Sequence, residues 1–142
     1  MANVTTNFLP KQGQNWKLTM VPMIASVAIA EGAAIYSVGD GTHTKVTNAT
    51  TNFKGIMAEA IASTDDDYAT SLKLKGVYVP MNEQAEAEFS VGAGTFTTAD
   101  VGKSVKFNDE TGLAVDTAGI QARITGYTSS SRGACIFNTD IV

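Results

Sequence analysis

Residues 33–47 read AAIYSVGDGTHTKVT. Two runs that mix apolar, aromatic and β-branched residues flank Gly39-Asp40-Gly41-Thr42. Glycines supply the positive φ that tight turns need, so this reads as a β-hairpin. A polar loop at 48–52 follows. Residues 53–62 then alternate, with Ile56, Ala58, Ala60 and Ala62 opposite Met57, Glu59 and Ile61. After a turn at 63–67, residues 72–79 close the unit as another strand. The order is strand, glycine turn, strand, polar loop, strand.

Working outward, the same order recurs at 102–138. Strands are expected at 104–107, 113–116, 120–128 and 134–138, with turns at 108–112 and 129–133. Residues 109–112 play the part of 40–42, and 129–133 that of 63–67. The two copies share pattern more than residue identity. Strands at such regular spacing between turn signals indicate an all-β barrel or sandwich. Pro80 and the Glu, Gln and Ala of 81–91 invite a short helix. However, Ala85, Ala87, Phe89 and Val91 alternate with Glu86, Glu88 and Ser90, which reads as strand. Residues 98–101 suit one helical turn capped by Thr98. Residues 23–30 are apolar or small on both faces and read as a buried first strand. The resemblance of residues 21–30 to a signal-peptide core is set aside, because Pro22 and Ser26 interrupt the apolar run and the preceding segment is long and polar.

Residues 1–19 show neither period. Val4, Phe8, Leu9, Trp16 and Leu18 are isolated apolar anchors, and Pro10 and Gly13 break any regular element. The expected organisation is an extended N-terminal arm at 1–19 and one compact β domain at 20–142. The five anchors are the candidate partner-binding residues, gripping another chain as aromatic and aliphatic hot spots do. Residues 4–6 could add a strand to a partner's sheet edge. The other reading, that the anchors fold back on their own β body, stays open at this level.

Composition narrows the function. Of 142 residues, 17% are charged, eighteen are Thr and thirteen are Gly, which favours strands and turns over helices. The net charge is −4 and the ten basic residues are scattered, so no stripe suits nucleic acid. The apolar run at 21–30 is too short for a membrane helix. Cys135 is the sole cysteine and His43 the sole histidine, too few for a thiolate cluster, a zinc site or a histidine triad. Gly102-Lys103-Ser104 lacks the earlier glycine and following helix of a phosphate loop, since position 97 is Thr. Asp65-Asp66-Asp67 lacks the alternation and the late glutamate of a calcium loop. No catalytic, cofactor or metal residue is therefore nominated.

The stretch AIAEGAAIYSVGDG at 28–41, Phe53-Lys54-Gly55-Ile56, Gly76-Val77-Tyr78-Val79 and Asp100-Val101-Gly102-Lys103-Ser104-Val105 resembles tailed-phage head decoration, or capsid cement, proteins. The resemblance spans roughly residues 20–138 and lies in a rhythm of glycines and short strands. It implies a small β-tulip or β-barrel body, a homotrimer, and the major capsid protein as partner. It also implies a place on the outer surface of the virion, at threefold and quasi-threefold sites of the head, with the arm on capsid or a neighbouring subunit. It carries no catalytic residues and no cofactor. The alternative is a carbohydrate- or receptor-binding β domain of a virion appendage, for which Tyr36, Tyr68, Tyr78 and Tyr127 are the candidate stacking residues.

Overall fold

The computed structural model describes residues 7–11, 15–50 and 52–138. Eleven strands account for nearly all of its regular structure. They are β1 (Leu9–Pro10), β2 (Trp16–Met23), β3 (Ala34–Ser37), β4 (His43–Lys45), β5 (Gly55–Met57) and β6 (Lys73–Pro80). After them come β7 (Glu86–Ala93), β8 (Ser104–Asp109), β9 (Gly112–Ala118), β10 (Ala122–Ser129) and β11 (Arg132–Phe137). The all-β expectation is met. Residues 85–91, read as strand in preference to helix, lie largely in β7.

The two sequence units, each joined by a strand that precedes it (β2 and β7), become two closed circuits of identical connectivity. The first barrel runs β2-β4-β3-β5-β6 and back to β2. In the second sheet, β7, β11, β10, β8 and β9 pair in turn, and β9 returns to β7. In each circuit the first strand meets the third in parallel, β2 with β4 and β7 with β9, and the other pairings are antiparallel. Local chemistry repeats with the topology. Asp40 Oδ1 accepts from the amide and hydroxyl of Thr42, and Asp109 Oδ1 accepts from those of Thr111. An Asp-x-Thr turn thus closes both hairpins, each carboxylate standing in for a backbone acceptor. Gly32 (φ 83°) donates to the Met57 carbonyl and Gly102 (φ 98°) to that of Ile124, each entering its barrel in the left-handed conformation.

A buried cluster of Val21, Met23, Ile29, Ile35, Met57, Ile61 and Val77 fills the first barrel. A second, richer in aromatics, fills the other barrel and reaches across to Ala34, Val46, Phe53 and Ile56 of the first. Phe53 stacks on Phe137 with ring centroids 4.0 Å apart, and Ala34 N–H donates to the Glu110 carbonyl at 2.8 Å. Gln121 Nε2 donates to the carbonyls of Thr47 and Thr50, while its Oε1 accepts from Phe107 N–H. The barrels therefore share packed core and hydrogen bonds rather than a solvated linker.

Three expectations are corrected. The first strand of the first barrel lies at Trp16–Met23, not at 23–30, so the boundary expected between residues 19 and 20 falls inside β2. Residues 24–30 form a loop with a single bridge, Ile29 to Ile61, and Ser26 has a φ of 59°. Their backbone groups are satisfied outside any ladder: Ile24 N–H donates to His43 O, Ser26 N–H to Tyr68 O, and the buried Lys73 ammonium takes Ile24 O. The strand expected at 53–62 is shortened to Gly55–Met57. The helical turn is Thr98–Asp100, and its cap is Thr97, not Thr98; Asp100 reaches back to the Thr97 amide to complete a capping box.

Candidate interaction surface

The structure separates the five predicted anchors. Val4 lies outside the described residues. Phe8 is 0% exposed, a correction to its expected role as a partner anchor. Its ring meets Phe107 at 5.8 Å and Phe137 at 5.3 Å, both edge-to-face, and its amide donates to Gly32 O. Leu9 is half-buried in β1, which adds to the edge of β7 with Leu9 facing Glu88. Trp16 is half-buried against Phe137, and its indole N–H donates to Glu86 O at 2.8 Å. These three fold back on their own body, as the second sequence reading allowed. An apolar ring pays no desolvation cost there and meets a cluster already built from phenylalanines.

Leu18 alone among the described anchors faces outward, 59% exposed. It does not stand alone. Met20 (57%) lies two residues on along β2, and Leu74 and Leu72 (55% each) lie on and before β6. Leu18 sits opposite Tyr78, Met20 opposite Gly76 and Pro22 opposite Leu74, so alternate positions of both strands face one way. The inward set on β2 is Val21 and Met23, both buried. The β2–β6 ribbon thus gathers exposed Leu18, Met20 and Leu74 on one outer face, beside the Glu59 carboxylate that accepts from Gly76 N–H at 2.7 Å; exposed apolar side chains gathered on one face mark interaction sites. Sequence reading missed Met20, Leu72 and Leu74. The signal was present in the alternation Trp16, Leu18, Met20, Pro22, but cutting the chain at 19 split it.

Charged groups nearby hold the arm rather than a ligand. Lys11 pairs with Glu86 at 2.9 Å, and Thr125 donates its hydroxyl to the same carboxylate. The Thr125 hydrogen bond foremost, then Lys11, hold the Glu86 carboxyl below its ordinary range against the cost of burial. Arg132 donates to the Asn7 carbonyl at 2.6 Å and to Ser90 Oγ at 2.8 Å.

The groups with reactive potential are placed apart. Cys135 is fully buried on β11, and burial pushes its thiol well above its usual range. His43 is on β4 in the other barrel, where Nδ1 meets the Pro22 carbonyl at 2.8 Å and burial lowers its pKa. Among the described residues no group of three His, Cys, Asp or Glu could hold a metal ion. Asp65 accepts from Ala62 N–H, and Asp67 pairs with Lys75 at 3.0 Å. The four tyrosines sit on separate segments. Tyr36, Tyr68 and Tyr78 are half-buried, Tyr68 donates to Ser26 O, and Tyr127 lies against Phe96. No helix among the described residues is long and apolar enough to cross a membrane.

Compared with models of known protein families and with characterised protein sequences, the chain matches none.

Proposed function

We propose that this chain is a structural virion protein that decorates and stabilises a tailed-phage head. It binds as a trimer at threefold and quasi-threefold sites of the major capsid protein, on the outer surface of the capsid. The observation that carries this reading is the outward set Leu18, Met20 and Leu74 on the β2–β6 face, with exposed Leu72 just before β6. The resemblance of residues 28–41, 53–56, 76–79 and 100–105 to decoration proteins supplies the partner. The mechanism is mechanical. Each trimer bridges several capsid subunits, and many modest contacts engaged together resist internal pressure.

The test is co-sedimentation with expanded, empty heads. Deleting residues 1–19 is the wrong variant, because it removes buried Phe8 and half of β2. Leu18→Ser with Met20→Ser keeps the core and strips the outer face. Saturable binding by the parent chain, weakened at least tenfold in the double variant, supports the reading. Equal binding by both would remove the strip from the mechanism.

A further inference from the structure

The two barrels close along equivalent seams of different chemistry. Gly32 N–H donates to Met57 O and Gly102 N–H to Ile124 O, and Met57 and Ile124 pair with Val77 and Cys135. Thr19 faces Val77 as Ala87 faces Cys135. Further along the same strands Met23 therefore stands level with Val91, and their parallel partners are His43 and Leu113. Leu113 is fully buried. At this place the first barrel carries the chain's only histidine, 9% exposed.

His43 holds the first seam through its backbone and its ring together. The ladder between β2 and β4 consists of the single pair Met23–His43. The His43 carbonyl accepts from Ile24 N–H at 3.0 Å, and ring Nδ1 lies 2.8 Å from Pro22 O. In the second barrel the ladder goes on to Ala93 and Ala114, and no titratable side chain takes part. A ring nitrogen that meets a carbonyl must donate, so the neutral imidazole keeps its hydrogen on Nδ1 and leaves Nε2 bare. An acid proton therefore enters at Nε2 and makes the ring a cation.

The surroundings oppose that cation. The titratable groups on the elements around His43 are Lys17 on β2, Tyr36 on β3, Asp40 and Lys45 on the β3–β4 hairpin, Lys54 ahead of β5, and Lys73, Lys75 and Tyr78 on β6. Asp40 spends Oδ1 on the amide and hydroxyl of Thr42. Lys45 pairs with Glu110, Lys75 with Asp67, and the Lys73 ammonium with three carbonyls. Lys54 is the charge that acts on the ring, and it disfavours a second positive charge beside it. Burial foremost, aided by Lys54 and countered by the Pro22 bond, holds His43 below its ordinary value of 6.5.

We propose that His43 is an acid-sensitive latch: a proton taken up at Nε2 loosens β4 from β2 and opens the first barrel, while the second barrel, with Leu113 in this place, stays closed. The sign follows from linkage. With the seam open the ring takes its proton at about pH 6.5, before the closed ring does, so closure is at full strength above that pH. Closure weakens as pH falls from there to the lower value of the closed ring, and below that value the loss is complete. Opening frees Met23 and Ile24, at the end of the strand that bears Leu18 and Met20. Acid thus loosens the support of the outer apolar face. The latch does not depend on capsid binding, and its test contains no capsid.

The test is amide hydrogen exchange by NMR on the full chain, from about pH 7.5 to about pH 5, corrected for the intrinsic pH dependence of exchange. Ile24 N–H, bonded to His43 O, reports on the first seam, and Val91 N–H, bonded to Ser131 O, on the second barrel. Ile24 should lose protection at least about threefold across that range while Val91 keeps its own. The ring signals of the single histidine should titrate with a midpoint below 6.5, and the loss at Ile24 should run between 6.5 and that midpoint. His43→Leu copies the second barrel and should leave Ile24 exchange flat. Lys54→Gln keeps the latch and should raise the ring midpoint. A midpoint at or above 6.5, Ile24 protection indifferent to pH, or an acid loss that persists in His43→Leu would each overturn the inference.

Discussion

Phe8→Ala separates an arm that belongs to the core from one reserved for a partner. The ring is fully buried, with edge-to-face contacts to Phe107 and Phe137. Truncating a buried phenylalanine to alanine costs about 3–5 kcal/mol, and the two aromatic contacts argue for the upper half of that range. With a urea dependence of about 2 kcal/mol per molar, a loss of about 4 kcal/mol lowers the unfolding midpoint by about 2 M at an unchanged slope. The chain's single tryptophan, Trp16, is the reporter, because it lies 6.4 Å from Phe137 and its indole bonds to Glu86 O. Leu18→Ala is the control: an exposed truncation should move stability by less than about 0.5 kcal/mol. A Phe8→Ala loss below about 1 kcal/mol would refute the docked arm and return Phe8 to the pool of partner anchors.

Lys73 is buried and donates to the carbonyls of Ile24, Tyr68 and Thr70. Lys73→Met takes the ammonium from all three, but Tyr68 O keeps the Ser26 N–H; the loss at Ile24 O and Thr70 O, about 1 kcal/mol each, should lower the melting temperature by about 7 °C in a thermal scan. Gly102→Ala meets open space and costs only the left-handed strain of about 1–2 kcal/mol, whereas Gly32→Ala also drives a Cβ to 2.7 Å from Asn7 Cβ and 3.0 Å from Phe8 O. Urea titrations should therefore show the larger loss at Gly32, the site beneath the arm. The Glu86 carboxyl titrates below its unfolded value of 4.5, so its contribution is complete above that pH and is lost as pH falls through the lower folded value. Thr125→Val removes the largest cause of that depression, and its urea midpoints should fall less steeply with acid than those of the parent.

Much of the body was legible because turn chemistry is local. Gly39-Asp40-Gly41-Thr42 and residues 109–112 announce their hairpins through side chain–backbone bonds within four residues, and the structure contains them. The repeat was legible as a rhythm. Its closure into two barrels was not, since the β2–β4 and β7–β9 parallel contacts join residues about twenty apart with no local signature. The misplaced first strand has a clear cause. Residues 23–30 carry strand-like composition, but Lys73, His43 and Tyr68 capture their backbone groups from distant segments. For the candidate surface, Leu18 was found as an isolated anchor, while Met20 was lost to the wrong boundary and Leu72 and Leu74 to their place in an ordinary strand pattern. Burial of Phe8 depends on Phe107 and Phe137, about a hundred and more residues away, and no window around Phe8 contains them.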